Sequence, residues 1–179
     1  MRHLVVDGYN VIHAWPALQS RFRERGMESA RDLLVQRLGE YAAQAGVDVT
    51  VVFDAHERVS GDPSRSQVDG VTVLFGTRDL SADHVIERLA NRAARAGAAH
   101  DMMIATNDRL QRAVVAGMGV AGMSVRGLSE ELERVRADTT ATGERMRSEH
   151  ERTSRLEHRI DHATAARLER LRRGESEGD

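Results

Sequence analysis

Apolar residues along this chain fall into two rhythms that alternate. His3 to Val6 is a short apolar run that stops at Asp7-Gly8. Between Met27 and Ala45 the apolar positions Ala30, Leu33, Leu34, Leu38, Tyr41 and Ala42 recur at helical intervals, and Gly46 stands where a C-cap would close the helix. Val47 to Phe53 is nearly all apolar and β-branched, as expected of a strand covered on both faces. Val71 to Phe75 predicts another short strand. Ser81 is placed to cap a helix over Ala82 to Ala96, with Gly97 to end it. Met102 to Ala105 predicts a strand, Arg109 to Ala116 a helix, and the region of Met123 to Val125 a last short strand. Ala55 to Gly70 reads as a polar loop, either a connector or an element that grips substrate.

Strands separated by helices imply βαβ units. The expected fold is therefore α/β: a three-layer α/β/α domain with a mainly parallel sheet over residues 1–128. Beyond Leu128 the chain turns rich in Glu and Arg and poor in β-formers. Residues 129–173 read as a charged C-terminal helical extension, with Glu130 and Arg134, Glu151 and Arg155, and Glu169 and Arg173 at helix-supporting spacing. Leu128, Leu132 and Val135 are placed to dock its first turns on the domain. The later apolar positions are too sparse for a sustained heptad seam. Residues 174–179 are expected to form a disordered tail.

Composition narrows the class. The 179 residues suit one domain with a real core. Cysteine is absent, which excludes disulfides and thiolate metal sites. The N-terminus shows no long apolar stretch with a cleavage site, and no run approaches the roughly 20 residues of a membrane span. The expectation is a cytoplasmic protein with no membrane partner. A net charge of -2 argues against a wholly basic nucleic-acid binder. Every basic side chain is arginine, the better fork for phosphate, and a near-neutral total can hide a basic surface beside an acidic site.

The acidic residues carry the chemistry. Asp7 ends the first predicted strand and Asp54 the second; Asp83 lies in the first turn of the helix after the third, and Asp108 follows the fourth. In an open parallel sheet the strand C-termini line the edge where ligands bind. Carboxylates gathered there repel and raise one another's pKa, a conflict that a divalent cation resolves. Mg²⁺ and Mn²⁺ prefer such hard oxygen donors and can assist phosphodiester hydrolysis. Each residue also has a plainer role. Asp83 and Asp108 can cap helices, Asn10 can satisfy a turn, and Thr106 can pack at a strand end. Recurrence of the same placement on four strands is what favours a metal site. The chain lacks a Walker loop, a Rossmann glycine fingerprint and a Gly-x-Ser-x-Gly elbow, and its histidines lack zinc-ligand spacing.

Four motifs, in this order and spacing, resemble the YacP-like branch of NYN domains within the wider PIN-like nuclease group. They are Val6-Asp7-Gly8-Tyr9-Asn10-Val11-Ile12, Val52-Phe53-Asp54, Ser81-Ala82-Asp83-His84-Val85-Ile86-Glu87-Arg88 and Ala105-Thr106-Asn107-Asp108-Arg109. The resemblance spans residues 2 to about 135. It implies a PIN-like fold and an Mg²⁺- or Mn²⁺-dependent endoribonuclease. Asp7, Asp83 and Asp108 match its metal-binding positions, Asp54 an acidic position after the second strand, and Asn10 the Asn of the opening motif. PIN domains often carry a further acid on the helix before the second strand, where this chain offers Glu40 as an ambiguous match. A ribosome-associated mRNA endonuclease is known in this branch, so the expected partners are RNA and ribosome-bound mRNA. On this reading Asp54 helps hold the metal or orients water, and Asn10, Thr106 or Asn107 positions water or a phosphate oxygen. Arg58, Arg65 and Arg78 contact the RNA backbone, and Tyr9 offers a stacking face. The alternative is a non-catalytic RNA- or ribosome-binding adaptor working through the charged C-terminal helix.

Overall fold

The computed structural model describes residues 2–54, 65–77 and 80–172. Strand β1 (His3–Asp7) leads into helices α1 (Gly8–Ala14) and α2 (Pro16–Ala45), then β2 (Asp48–Phe53). A hairpin of β3 (Arg65–Val68) and β4 (Val71–Phe75) precedes α3 (Ala82–Arg95). After a 3-10 turn at Ala99–Asp101 come β5 (Met102–Ala105), α4 (Arg109–Gly117), β6 (Ala121–Met123) and α5 (Val125–Arg172). The six strands form one sheet in the order β3-β4-β2-β1-β5-β6. Every pairing is parallel except that of β3 with β4.

Successive strand side chains point to opposite faces, and this sorts the core into two halves. Leu4, Val6, Val49, Val51, Phe53, Val71 and Val73 pack with α1, α2 and the first turns of α5. Val5, Val52 and Ile104 face the other way, onto Ile86 and Ala90 of α3 and Val115 of α4. The domain is thus an α/β/α sandwich, as its alternating rhythms predict. Asp7 follows Val5 at the two-residue period, so it shares the face covered by α3 and α4.

Three local differences from the sequence reading have physical causes. The polar stretch before Gly70 ends in a strand, because Asp69-Gly70 makes a two-residue hairpin turn. Its φ values are 50° and 80°, the pair of positive angles that a type I′ turn requires. The helix expected from Met27 begins earlier, at Pro16, but Gly26 interrupts it with φ 83° and ψ 174°. The segment from Met27 is the part with the regular apolar stripe. The last strand closes at Met123, because Val125 already starts α5, its N–H bonded to Asn107 Oδ1 at 3.1 Å.

By its internal contacts the chain divides into two units, 1–136 and 137–179. Within the first, Val125 and Leu128 of α5 are core residues and Leu132 packs against them. Trp15 Nε1 donates to the Val125 carbonyl at 3.1 Å, so this tryptophan is core rather than a stacking platform. The second unit is helical as far as Arg172. The charge pairs along α5 are shifted from those expected. Arg126 holds Glu130, Glu131 holds Arg134, and Glu169 meets Arg172 at 3.7 Å. Such exposed pairs are worth little, so their register is weakly specified. The side chains of Glu151 and Arg155, and Arg173 itself, lie outside the described residues.

Candidate active site

Asp7 begins a hydrogen-bonded chain that links three aspartates from different elements. It is the N-cap of α1, and its Oδ1 accepts from the Asn10 backbone N–H at 3.2 Å. Its Oδ2 accepts from Asn10 Nδ2 at 2.6 Å and from Thr106 Oγ1 at 3.3 Å. Asp7 is only 4% exposed and Thr106 is fully buried. Burial pushes the Asp7 carboxyl up from its ordinary pKa, and the charge of Asp83 adds to the rise. The bonds from Asn10 and Thr106 oppose it.

The chain continues from Thr106. Its Oγ1 accepts from the backbone N–H of Asp108 at 3.1 Å. Asp108 caps α4, its Oδ1 taking the N–H groups of Leu110 at 2.7 Å and Gln111 at 3.1 Å. Gln111 then reaches across to α3, its Nε2 donating to Asp83 Oδ1 at 2.7 Å. Ser81 caps α3 as its sequence position predicts, and Asp83 lies in the first turn. Asp83 and Asp108 are solvent-exposed whereas Asp7 is not. One buried carboxylate is therefore flanked by two accessible ones at the starts of two helices.

Gln111 was not singled out by the sequence reading. The available signal was Asp108-x-x-Gln111, the spacing of a capping box. The fold uses half of that motif. Asp108 caps the Gln111 N–H, but Thr106 takes the Asp108 N–H, which frees the glutamine side chain to hold Asp83. The residue is 4% exposed, and its Oε1 is buried with no hydrogen-bond partner among the described residues. Burying a carbonyl oxygen without a partner is costly, so this atom is poised to accept from a group beyond the described residues.

The other expected residues are distributed unevenly. Asp54 follows β2 and is half-buried, two residues beyond Val52, the register partner of Asp7. Asn107 commits its Oδ1 to the start of α5. Tyr9 is half-buried with its ring 5.3 Å from that of Phe53. Arg65 opens β3, three strands from β1 and so roughly 14 Å across the sheet. Arg58 and Arg78 lie outside the described residues. Glu40 does not join the set. It is exposed on α2, which covers the sheet face opposite the one Asp7 shares. The sequence reading also passed over Arg31, which is buried with its guanidinium 6.0 Å from the centre of the Phe53 ring and 5.5 Å from that of Phe75.

Among the described residues, no three acidic or histidine side chains stand close enough to share one ion directly. The donor set is nonetheless of one chemical kind. Carboxylate oxygens of Asp7, Asp83 and Asp108, with the unpaired amide oxygen of Gln111, are hard ligands that suit Mg²⁺ or Mn²⁺. Mg²⁺ keeps several waters, so it can be held through few direct carboxylates and the remainder through water.

Known proteins resemble this chain in sequence and in fold. The family model described as "YacP-like NYN domain" matches residues 4–173. A Bacillus subtilis (strain 168) relative, "Uncharacterized protein YacP", is 38% identical over 132 residues, covering 74% of this chain and 75% of its own. Two crystal structures of Rae1 (YacP) from Bacillus subtilis are similar. The unmutated form has a TM-score of 0.66 at 31% identity, covering 97% of this chain and 96% of that one. A point mutant has a TM-score of 0.67 at 32% identity, covering 83% and 85%.

Proposed function

The chain belongs to the YacP-like NYN domain family, and from that premise we propose that it is a divalent-metal-dependent endoribonuclease. Family membership points to a nuclease. Metal dependence, RNA as substrate and the residues involved are our reading. The observation that carries it is the unbroken hydrogen-bonded path Asp7–Thr106–Asp108–Gln111–Asp83, which ties carboxylates from β1, α4 and α3 to one edge of the sheet.

Each part of that path has work to do. Asn10 and Thr106 fix both oxygens of Asp7 in one rotamer, so the buried carboxylate is preorganised. Burial makes its charge expensive until a cation arrives, which gives the site affinity for positive charge. Asp83 and Asp108 stand at the solvent side, where a phosphodiester enters. Gln111 holds Asp83 in place while its own amide oxygen stays available. Bound Mg²⁺ or Mn²⁺ supplies a Lewis acid for the phosphoryl oxygens. Asp54 is assigned to the outer part of the same site. The proposed substrate is single-stranded RNA, including mRNA on the ribosome, met in the cytoplasm. No described helix is long and apolar enough to cross a membrane.

A side-by-side assay on single-stranded RNA, single-stranded DNA and a phosphomonoester, with Mg²⁺, Mn²⁺ or chelator, tests this reading. RNA should be cleaved internally and only with metal. Asp7→Asn should lower the rate by roughly 100-fold or more, since even groups behind the ligands cost 10–100-fold. Cleavage at the wild-type rate by Asp7→Asn, or in chelator, would remove the assignment.

A further inference from the structure

The geometry points to a track for the RNA backbone on the outer face of α3, formed by His84, Arg88, Arg92 and Arg95 and starting beside Asp83. This rests on the nuclease reading above and adds to it the path of the substrate strand.

Helix α3 is sharply two-faced. Ala82, Ile86, Ala90 and Ala93 are buried against the sheet. His84, Arg88, Asn91, Arg92 and Arg95 are exposed. Spacings of four, four and three residues keep the basic groups on one stripe. At 1.5 Å per residue, the stripe runs about 16 Å away from the candidate site. It lines an open groove of about 510 Å³ that also holds Leu80 and Met118, and among the described residues Glu87 is its one acidic side chain.

The plain alternative is a solvated, charged helix face. Arg92 and Arg95 lie in the last turn, where cations are favoured by the helix dipole whatever the function. That account does not cover Arg88, five residues or about one and a half turns beyond Asp83. Nor does it cover the lack of ion pairs along the stripe among the described residues. Acidic residues outnumber basic ones in this chain, 28 to 26. On α5 the arginines Arg126, Arg134 and Arg172 each find a glutamate. Among the described residues, Arg88, Arg92 and Arg95 form no ion pair. Three guanidinium forks in a row with no ion pair among the described residues, on the helix whose first turn carries Asp83, fit a polyanion whose scissile phosphate sits beside that aspartate. Leu80 and Met118 in the same groove offer apolar contact to the sugar and base edges of a single strand, which a duplex would keep stacked away.

The experiment compares the binding of a labelled single-stranded oligoribonucleotide to Asp7→Asn protein and to the same protein carrying Arg88→Gln, Arg92→Gln and Arg95→Gln, across a range of KCl. Each lost phosphate contact should flatten the log-affinity against log-salt slope by about 0.7, so the three together should flatten it by about 2. In a background with Asp7 intact, the triple variant should raise KM and leave kcat near its original value. The positions are exposed, so the melting temperature should fall by only a few degrees, the effect of losing two cations from the last turn of α3. An unchanged slope in a protein whose parent cleaves RNA would overturn the track and leave the nuclease reading standing; it would hand the stripe to a partner other than nucleic acid. A parent that neither binds nor cleaves RNA with Mn²⁺ present would overturn both.

Discussion

Replacing Gly8 by alanine puts a methyl group into the space held by the Phe53 ring. An ideal Cβ on Gly8 would lie 2.2 Å from Phe53 Cε1, 2.4 Å from Cδ1 and 2.9 Å from Cζ, all inside the 3.0 Å below which something must shift. The ring has little room to retreat. Phe53 is 1% exposed and packs against Tyr9 on one side and Phe75 on the other, with ring centres 5.3 and 5.6 Å away. Overpacking of this kind costs about 1–3 kcal/mol. Alanine returns at most about 1 kcal/mol through helix propensity, and less at the first position of α1. The net expectation is a loss of about 1–2 kcal/mol, read by urea denaturation. Because Gly8 adjoins Asp7, a shifted α1 would also carry Asn10 away from the carboxylate it grips at 2.6 Å. Activity should therefore fall further than the folded fraction explains. A double-mutant cycle with Phe53→Leu isolates the contact, and the coupling should reach about 1 kcal/mol or more. If Gly8→Ala costs under about 0.5 kcal/mol, or costs the same with Leu at position 53, the steric account of the Asp-Gly pair is wrong.

Two further outcomes follow from the site. The folded Asp7 carboxyl keeps its proton to higher pH than in the unfolded chain, so over that window the native state binds more protons and stability falls as pH rises. Asp7→Asn should thus gain stability relative to the parent on going from pH 3 to pH 7 by denaturant titration; a difference that is the same at both pH values would contradict the burial argument. Gln111→Leu removes a buried, unpartnered oxygen together with the Nε2 bond to Asp83, so its folding free energy should change by no more than about 1 kcal/mol. Its Mn²⁺ affinity, measured by calorimetry without RNA, should still fall about 10-fold, and an unchanged affinity would limit Gln111 to a structural role.

Much of the architecture is determined by the sequence alone. The runs at His3, Val47, Val71 and Met102 report strands covered on two faces, because only burial on both sides tolerates continuous apolar residues. Asp7, Asp54, Asp83 and Asp108 then fall near one edge of the sheet by topology. The hairpin is not read from the sequence, because the polarity of β3 hides an edge strand within a loop-like composition, although Asp69-Gly70 is a turn signal.

What the tertiary structure decided is how these residues meet. Asp7 is buried and Asp83 exposed, although both are aspartates beside an apolar run. Glu40 leaves the site and Gln111 enters it, through side-chain directions that spacing along the chain does not contain. Thr106 joins Asp7 to Asp108 across 99 positions in sequence because β5 lies beside β1. The arginines of α3 are set apart from those of α5 by what surrounds them, not by residue type. Local periodicity follows from each segment's own burial, whereas a site depends on parity across neighbouring strands and on which helix end arrives above them.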